Sequence, residues 1–378
     1  MNKLQSFLFI ITVCILIYVI YRFIWKRDMI DRIINKIQRK STNTHSCKNP
    51  TCNCNTTEGF ELFGTKQGEY NGLIDTTPTN IVSLPKDDKY LNQPIKDYVI
   101  KSSYNSAVTG KHVNMEMITY LLHRGVRMLD FEIMLIHDKP MVTYTNDKTL
   151  DTKKTDEVLL LDNIFSMLVS SAFVQPTPNV LDPLFIHLRM KSNGSELYKR
   201  VAKSIDSTLR PRLYDGKITK KTLMKDIMGK IVIIVDKTID RNYLLEAECP
   251  IREPTCYDLK NYINMESGSD IAHMFNYSGL LGLTRDHVRV EDKCELCTNT
   301  KNMKVVLPDS VNINSKNPNI SEFITGYGCQ FTMYKFYSKD EELEIYENMF
   351  DENKGGILPL ALTLDYLKKN KGYLDEDE

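Results

Sequence analysis

Residues 94–110 read Pro-Ile-Lys-Asp-Tyr-Val-Ile-Lys-Ser-Ser-Tyr-Asn-Ser-Ala-Val-Thr-Gly, and the order of the segments after Gly110 decides the fold. Met115, Ile118, Leu121 and Leu122 have the spacing of an apolar helix face. Gly125-Val-Arg-Met-Leu-Asp-Phe-Glu-Ile133 then alternates as a strand does, and Pro140-Met-Val-Thr-Tyr144 is a second extended run. The stretch predicts strand, loop, helix, strand, turn, strand. Its polar residues bunch at the carboxyl ends of the strands, where a parallel α/β barrel keeps its chemistry.

The pattern continues beyond it. Ile164 to Phe173 reads as a helix that stops before Pro176 and Pro178. Asp182-Pro-Leu-Phe-Ile-His-Leu-Arg-Met190 is an apolar strand with Phe185, His187 and Arg189 on one face. Leu197 to Leu209 and Lys220 to Met228 read as helices, and Gly229-Lys-Ile-Val-Ile-Ile-Val-Asp236 is a buried strand. From Lys237 to Asp292 no clear period appears. Val305-Val-Leu-Pro308 and Tyr327-Gly-Cys-Gln-Phe-Thr-Met-Tyr-Lys-Phe336 are two further extended segments.

These segments resemble the phosphatidylinositol-specific phospholipase C family, with an X-like half over residues 92–236 and a Y-like half over 305–370. The resemblance implies a TIM-type (β/α)8 barrel of the phospholipase C-like phosphodiesterase kind. In the family a Ser-Ser-His-Asn loop and a second strand-end histidine carry the acid-base steps; the matching positions here are Tyr104 and Tyr144. The calcium positions fall on Asn105, Asp130 and Glu132, and a glutamate that holds calcium in eukaryotic members is Arg189 here. The arginine and tyrosine that bind headgroup phosphate and inositol are replaced by Val305 and Leu307.

The resemblance therefore implies a phosphoric diester hydrolase ancestry with altered chemistry. Tyrosine titrates near 10, so about one in a thousand is ionised at neutral pH. General acid-base assistance contributes roughly 10² to 10⁴ per group. Loss of both histidines thus predicts a degenerate pseudoenzyme that binds a phospholipid headgroup or a protein partner. The alternative is an active diesterase with Arg189 in place of the metal, as in bacterial members. No cofactor is expected, and a cation at Arg189 opposes calcium. His187, one inward position below Arg189, reads as a buried histidine satisfied by a neighbour.

The chain has 378 residues, 42% of them hydrophobic, with 49 basic and 49 acidic side chains. A zero net charge gives no argument for nucleic acid, and no phosphate-binding glycine loop of the nucleotide type occurs. Residues 4–25 are apolar enough to span a bilayer as a single-pass anchor, and the absence of alanine before Ala107 argues against a cleaved leader. The cations after the span, Arg22 to Lys40, outnumber Lys3 on the other side, which predicts the folded part in the cytosol. Ile30, Ile33, Ile34 and Ile37 make 26–40 a basic amphipathic segment suited to anionic lipid. Residues 41–91 read as a flexible tether and 237–304 as an insertion. Free thiols are the expected state of the cysteines, with a zinc site or disulfides among Cys249, Cys256, Cys294 and Cys297 as the alternative. The abundance of Lys, Asn, Ile and Tyr suggests an AT-rich, viral or parasite genome.

Overall fold

A computed structural model describes residues 65–145, 157–191, 194–250, 256–292, 294–309 and 315–374. Eight strands form the sheet's closed part: β1 Ser102–Ser103, β2 Met128–Ile136, β3 Leu184–Met190, β4 Ile231–Asp236, β5 Met265–Ser267, β6 Ala272–Asn276, β7 Met303–Leu307 and β8 Phe331–Tyr334. Neighbours around the ring are parallel. Closure comes through β1, whose Ser102 pairs with Met333 on one side and Met128 on the other.

Runs such as Ile-Val-Ile-Ile-Val in β4 are buried on both faces, as a parallel strand covered by helices requires. Helix α1, Met115–His123, joins β1 to β2 and buries Met117, Ile118, Leu121 and Leu122; the Asn114 side chain caps its first turn. Helices α2 Leu161–Ser171 and α3 Ser195–Ser204 come after β2 and β3, and α4 Ile320–Tyr327 precedes β8. Between β5 and β6 there is no helix: Gly268, at φ +85°, donates to Ala272 O and turns the chain within four residues. The amino-end floor is closed by Tyr98–Ile100 running antiparallel to Ile357–Pro359.

Register fixes which side chains face inward. Phe185 of β3 meets Phe331 of β8 edge-on at 5.2 Å although their strands are not neighbours, so both point into the barrel. Asp130 pairs with His187 and Glu132 with Arg189 in the same ladder, which puts all four on that inner face. The carboxyl half of β2 continues past the ring and pairs antiparallel with Lys139–Thr143, bringing Thr143 opposite Glu132.

Three sequence expectations need correction. Residues 65–91, read as part of a tether, carry a helix at Lys66–Leu73 and bury Leu73, Ile81 and Leu84; these anchors sit too far apart to show a period. The stretch read as an insertion supplies β5, β6 and the start of β7, short strands whose polar residues mask any alternation. Cys249 is bonded to Cys256 and Cys294 to Cys297, so these four are neither free thiols nor zinc ligands; Cys329 is free and buried. Among the described residues no helix is long and apolar enough to cross a membrane. The expected span 4–25 and basic segment 26–40 lie outside them.

Candidate active site

Strand ends deliver the predicted residues to one place. Tyr104 and Asn105 come directly after β1, Asp130 and Glu132 lie on β2, Arg189 is the penultimate residue of β3, and Tyr144 comes after the strand paired with β2. At the centre is the Arg189 guanidinium. Its Nε donates to Asp130 Oδ1 at 2.9 Å, Nη2 to Asp130 Oδ2 at 2.9 Å, and Nη1 to Glu132 Oε2 at 3.0 Å. Nη2 also donates to Asn105 Oδ1. The Tyr104 ring covers the group, its centroid 4.7 Å from Cζ, a cation–π geometry.

The carboxylates are held from behind as well. Asp130 Oδ2 accepts from Asn105 N at 2.9 Å, and Glu132 Oε1 accepts from Thr145 N and Oγ1, each at 2.7 Å. Asn105 takes φ +44°, a left-handed turn that asparagine tolerates better than most residues, and this turn aims its amide nitrogen at Asp130. Below, His187 bonds Asp130 Oδ1 through Nδ1 at 2.7 Å and Ser267 Oγ through Nε2 at 2.8 Å. Ser267, His187 and Asp130 thus have the connectivity of a nucleophilic relay, but all three are 0% exposed and no substrate atom reaches them. Their chemical effect is to fix the Asp130 carboxylate.

Electrostatics match the geometry. Burial alone would raise the Asp130 carboxyl, yet the Arg189 charge and the His187 hydrogen bond hold it well below the usual carboxylate range. Burial would lower Arg189, and the Asp130 charge outweighs it, keeping the guanidinium firmly protonated. Tyr104 and Tyr144 both move up from the ordinary phenol value, chiefly by burial, so neither supplies a phenolate near neutrality. Tyr144 donates its hydroxyl to Gly110 O at 2.8 Å, over the loop after β1.

The residues do not fit a calcium ion. Calcium takes six to eight oxygens, and the oxygens at Asn105, Asp130 and Glu132 already accept from a guanidinium placed among them. Val305 and Leu307 are buried in the barrel wall.

This arrangement can be set beside known proteins. The sequence model of "Phosphatidylinositol-specific phospholipase C, X domain" matches residues 91–237. Residues 91–237 belong to that X-domain family. No curated protein matches the chain by sequence. Among solved structures, PLC21 from L. pealei is similar at 16% identity and TM-score 0.54, covering 78% of this chain and 41% of that one. PLC21 from S. officinalis gives 16% identity and TM-score 0.54, covering 79% and 41%. The chain spans less than half the length of these structures, and at such identity the likeness is one of fold.

The X domain extends from just before the barrel floor through β4, so it contains Tyr104, Asn105, Asp130, Glu132, Tyr144, His187 and Arg189. Its Gly125-x-Arg127 element is structural. Arg127 is fully buried and donates to Ala172 O at 2.9 Å and Asn179 Oδ1 at 2.7 Å, tying the entry of β2 to the loop before β3. Gly125 has φ +76°, and a Cβ there would lie 2.7 Å from Ile81. Ser267, Thr145 and Ser106, whose Oγ accepts from Asp130 N at 2.9 Å, escaped sequence reasoning. No motif surrounds Ser267, and only the ladder pairing of β5 with β4 beside β3 brings it under His187.

Proposed function

We propose that this protein is a membrane-anchored phospholipase C-like pseudoenzyme whose barrel binds an anionic phospholipid headgroup or a protein partner instead of cleaving lipid. The observation that supports it is the Arg189 guanidinium hydrogen-bonded to Asp130, Glu132 and Asn105 under the Tyr104 ring. A site whose two carboxylates are bound by one guanidinium, whose side chains are buried, and whose acid-base positions are tyrosines offers neither an open metal site nor the proton carriers of the reaction. The test is release of inositol phosphate from labelled phosphatidylinositol by the full-length protein, with and without calcium. Turnover well above a no-enzyme control overturns the reading.

A second reading, an active diesterase with Arg189 acting as the fixed cation, is favoured by the position of that cation opposite Glu132 on the inner face. In that case Arg189→Met abolishes a calcium-independent rate. The anchor is assigned to residues 4–25 and the lipid-facing cations to 26–40, with the barrel on the cytosolic side. Alkaline carbonate extraction tests the anchor. The disulfides Cys249–Cys256 and Cys294–Cys297 favour the opposite, oxidising side, because cytosolic thiols are kept reduced.

A further inference from the structure

Lys304 and His273 are ladder partners on β7 and β6. Val305, beside Lys304, pairs with the inward Phe331, so Lys304 and His273 point away from the barrel's interior. A cavity of about 180 Å³ lies over them, walled also by Asp286, Thr300, Lys301 and Asn302. At roughly 30 Å³ per water molecule it holds about six waters, or a small anion with part of its hydration.

Lys304 is half-buried and differs from the other lysines that desolvation holds below their usual value. Lys101 donates to Arg124 O and Glu347, Lys217 to two backbone carbonyls, and Lys335 to Ser315. The Lys304 ammonium has no hydrogen bond or ion pair among the described residues, and burial holds it below the usual lysine value. Asp286 is felt electrostatically but makes no ion pair with it. Beside it Thr300, 7% exposed, has a buried hydroxyl without a partner. Asn302 turns its amide nitrogen toward His273 Nε2 at 3.3 Å and leaves its oxygen unpaired, an acceptor for a bound water. Buried polar groups are almost always satisfied, so the Thr300 hydroxyl and the Asn302 oxygen call for a partner, and the half-buried Lys304 without an ion pair favours an anion beside it.

We propose that this cavity binds a small phosphate-type anion, with the half-buried Lys304 as the counter-charge, Lys301 at the entrance and the Thr300 hydroxyl as a donor. Lysine serves such ligands as a point charge. The site lies on the outer wall of the barrel and does not depend on the reading of the mouth. A ligand there spans β6, β7 and the 286–302 connection, so it stabilises the folded chain by mass action.

The test is thermal unfolding of full-length protein titrated with inorganic phosphate at constant ionic strength set by chloride. Glycerol 3-phosphate in a parallel arm presents the phosphate as a lipid would. Tm should rise with phosphate in the wild type. Lys304→Met, close to lysine in length, should raise the half-saturating concentration at least tenfold, and Asp286→Asn should lower it. Without phosphate the methionine variant should be no less stable than wild type. A response to glycerol 3-phosphate as well assigns monoesters, lipid-borne ones included; a response to inorganic phosphate alone assigns the free ion. Equal responses in wild type and Lys304→Met, or none in wild type, overturn the proposal.

Discussion

Arg189 grips Asp130 through two hydrogen bonds, Nε to Oδ1 and Nη2 to Oδ2, both 2.9 Å. The pair is buried, so removing one member strands the other charge without solvent. Arg189→Met should cost about 3–5 kcal/mol in denaturant unfolding at pH 7. The pH dependence has a definite sign. Asp130 is held below its unfolded value, so its contribution is present above about pH 4 and is lost as pH falls toward the folded value. The gap between wild type and variant should therefore narrow below about pH 4. A gap that stays constant to pH 2 would show that the loss is one of packing.

Asp182 behaves in the opposite sense. Burial pushes its carboxyl up to about 6, partly offset by Arg127, while its Oδ1 accepts from Leu84 N at 2.7 Å. The unfolded chain then releases this proton first, and stability declines as pH rises from about 4 through 6. Asp182→Asn keeps an acceptor for Leu84 and removes the ionisation. It should gain about 2 kcal/mol at pH 7 and nothing near pH 3.5, read from paired denaturant curves.

Much of this architecture was legible because β2, β3 and β4 are long and carry either alternation or an unbroken apolar run. The inward placement of Asp130, Glu132, His187 and Arg189 comes from a period of two. The parts that escaped are short or non-local. β5 is Met-Glu-Ser and shows no pattern, so Ser267 could not be placed under His187. Leu73, Ile81 and Leu84 dock singly on the barrel, and sparse anchors in a polar stretch look the same as a tether. The cysteine spacings allowed several states, and only the chain path brought Cys249 and Cys256 to a Cα separation of 5.7 Å.

The side of the membrane can be read at Asn276. Asn276-Tyr-Ser is an acceptor sequence for N-glycosylation, and Asn276 is exposed at the end of β6. The cytosolic placement predicts no mobility shift on endoglycosidase treatment of protein expressed in eukaryotic cells. The Cys294–Cys297 disulfide predicts instead that both cysteines are protected from thiol alkylation before lysis. A glycan at Asn276 with both cysteines protected would put the barrel on the oxidising side and reverse the orientation of residues 4–25.

Placing histidines at Tyr104 and Tyr144 tests how much acid-base chemistry those two positions can carry. Tyr104→His with Tyr144→His returns groups able to move protons near neutrality, worth roughly 10² to 10⁴ each where the rest of a site is in place. Here the rest is not. Arg189 still occupies the oxygens of Asn105, Asp130 and Glu132, and the buried Val305 and Leu307 offer no hydrogen bond to a phosphate or sugar. The double variant should stay near background in release of inositol phosphate. Adding Arg189→Glu replaces the guanidinium by a third carboxylate, freeing an oxygen set that calcium can use. Only the triple variant should therefore bind calcium by calorimetry and show any calcium-dependent rate. That rate should remain far below full activity, because positioning of the headgroup is still missing. Calcium-dependent turnover in the double variant would mean that Arg189 does not guard the metal position.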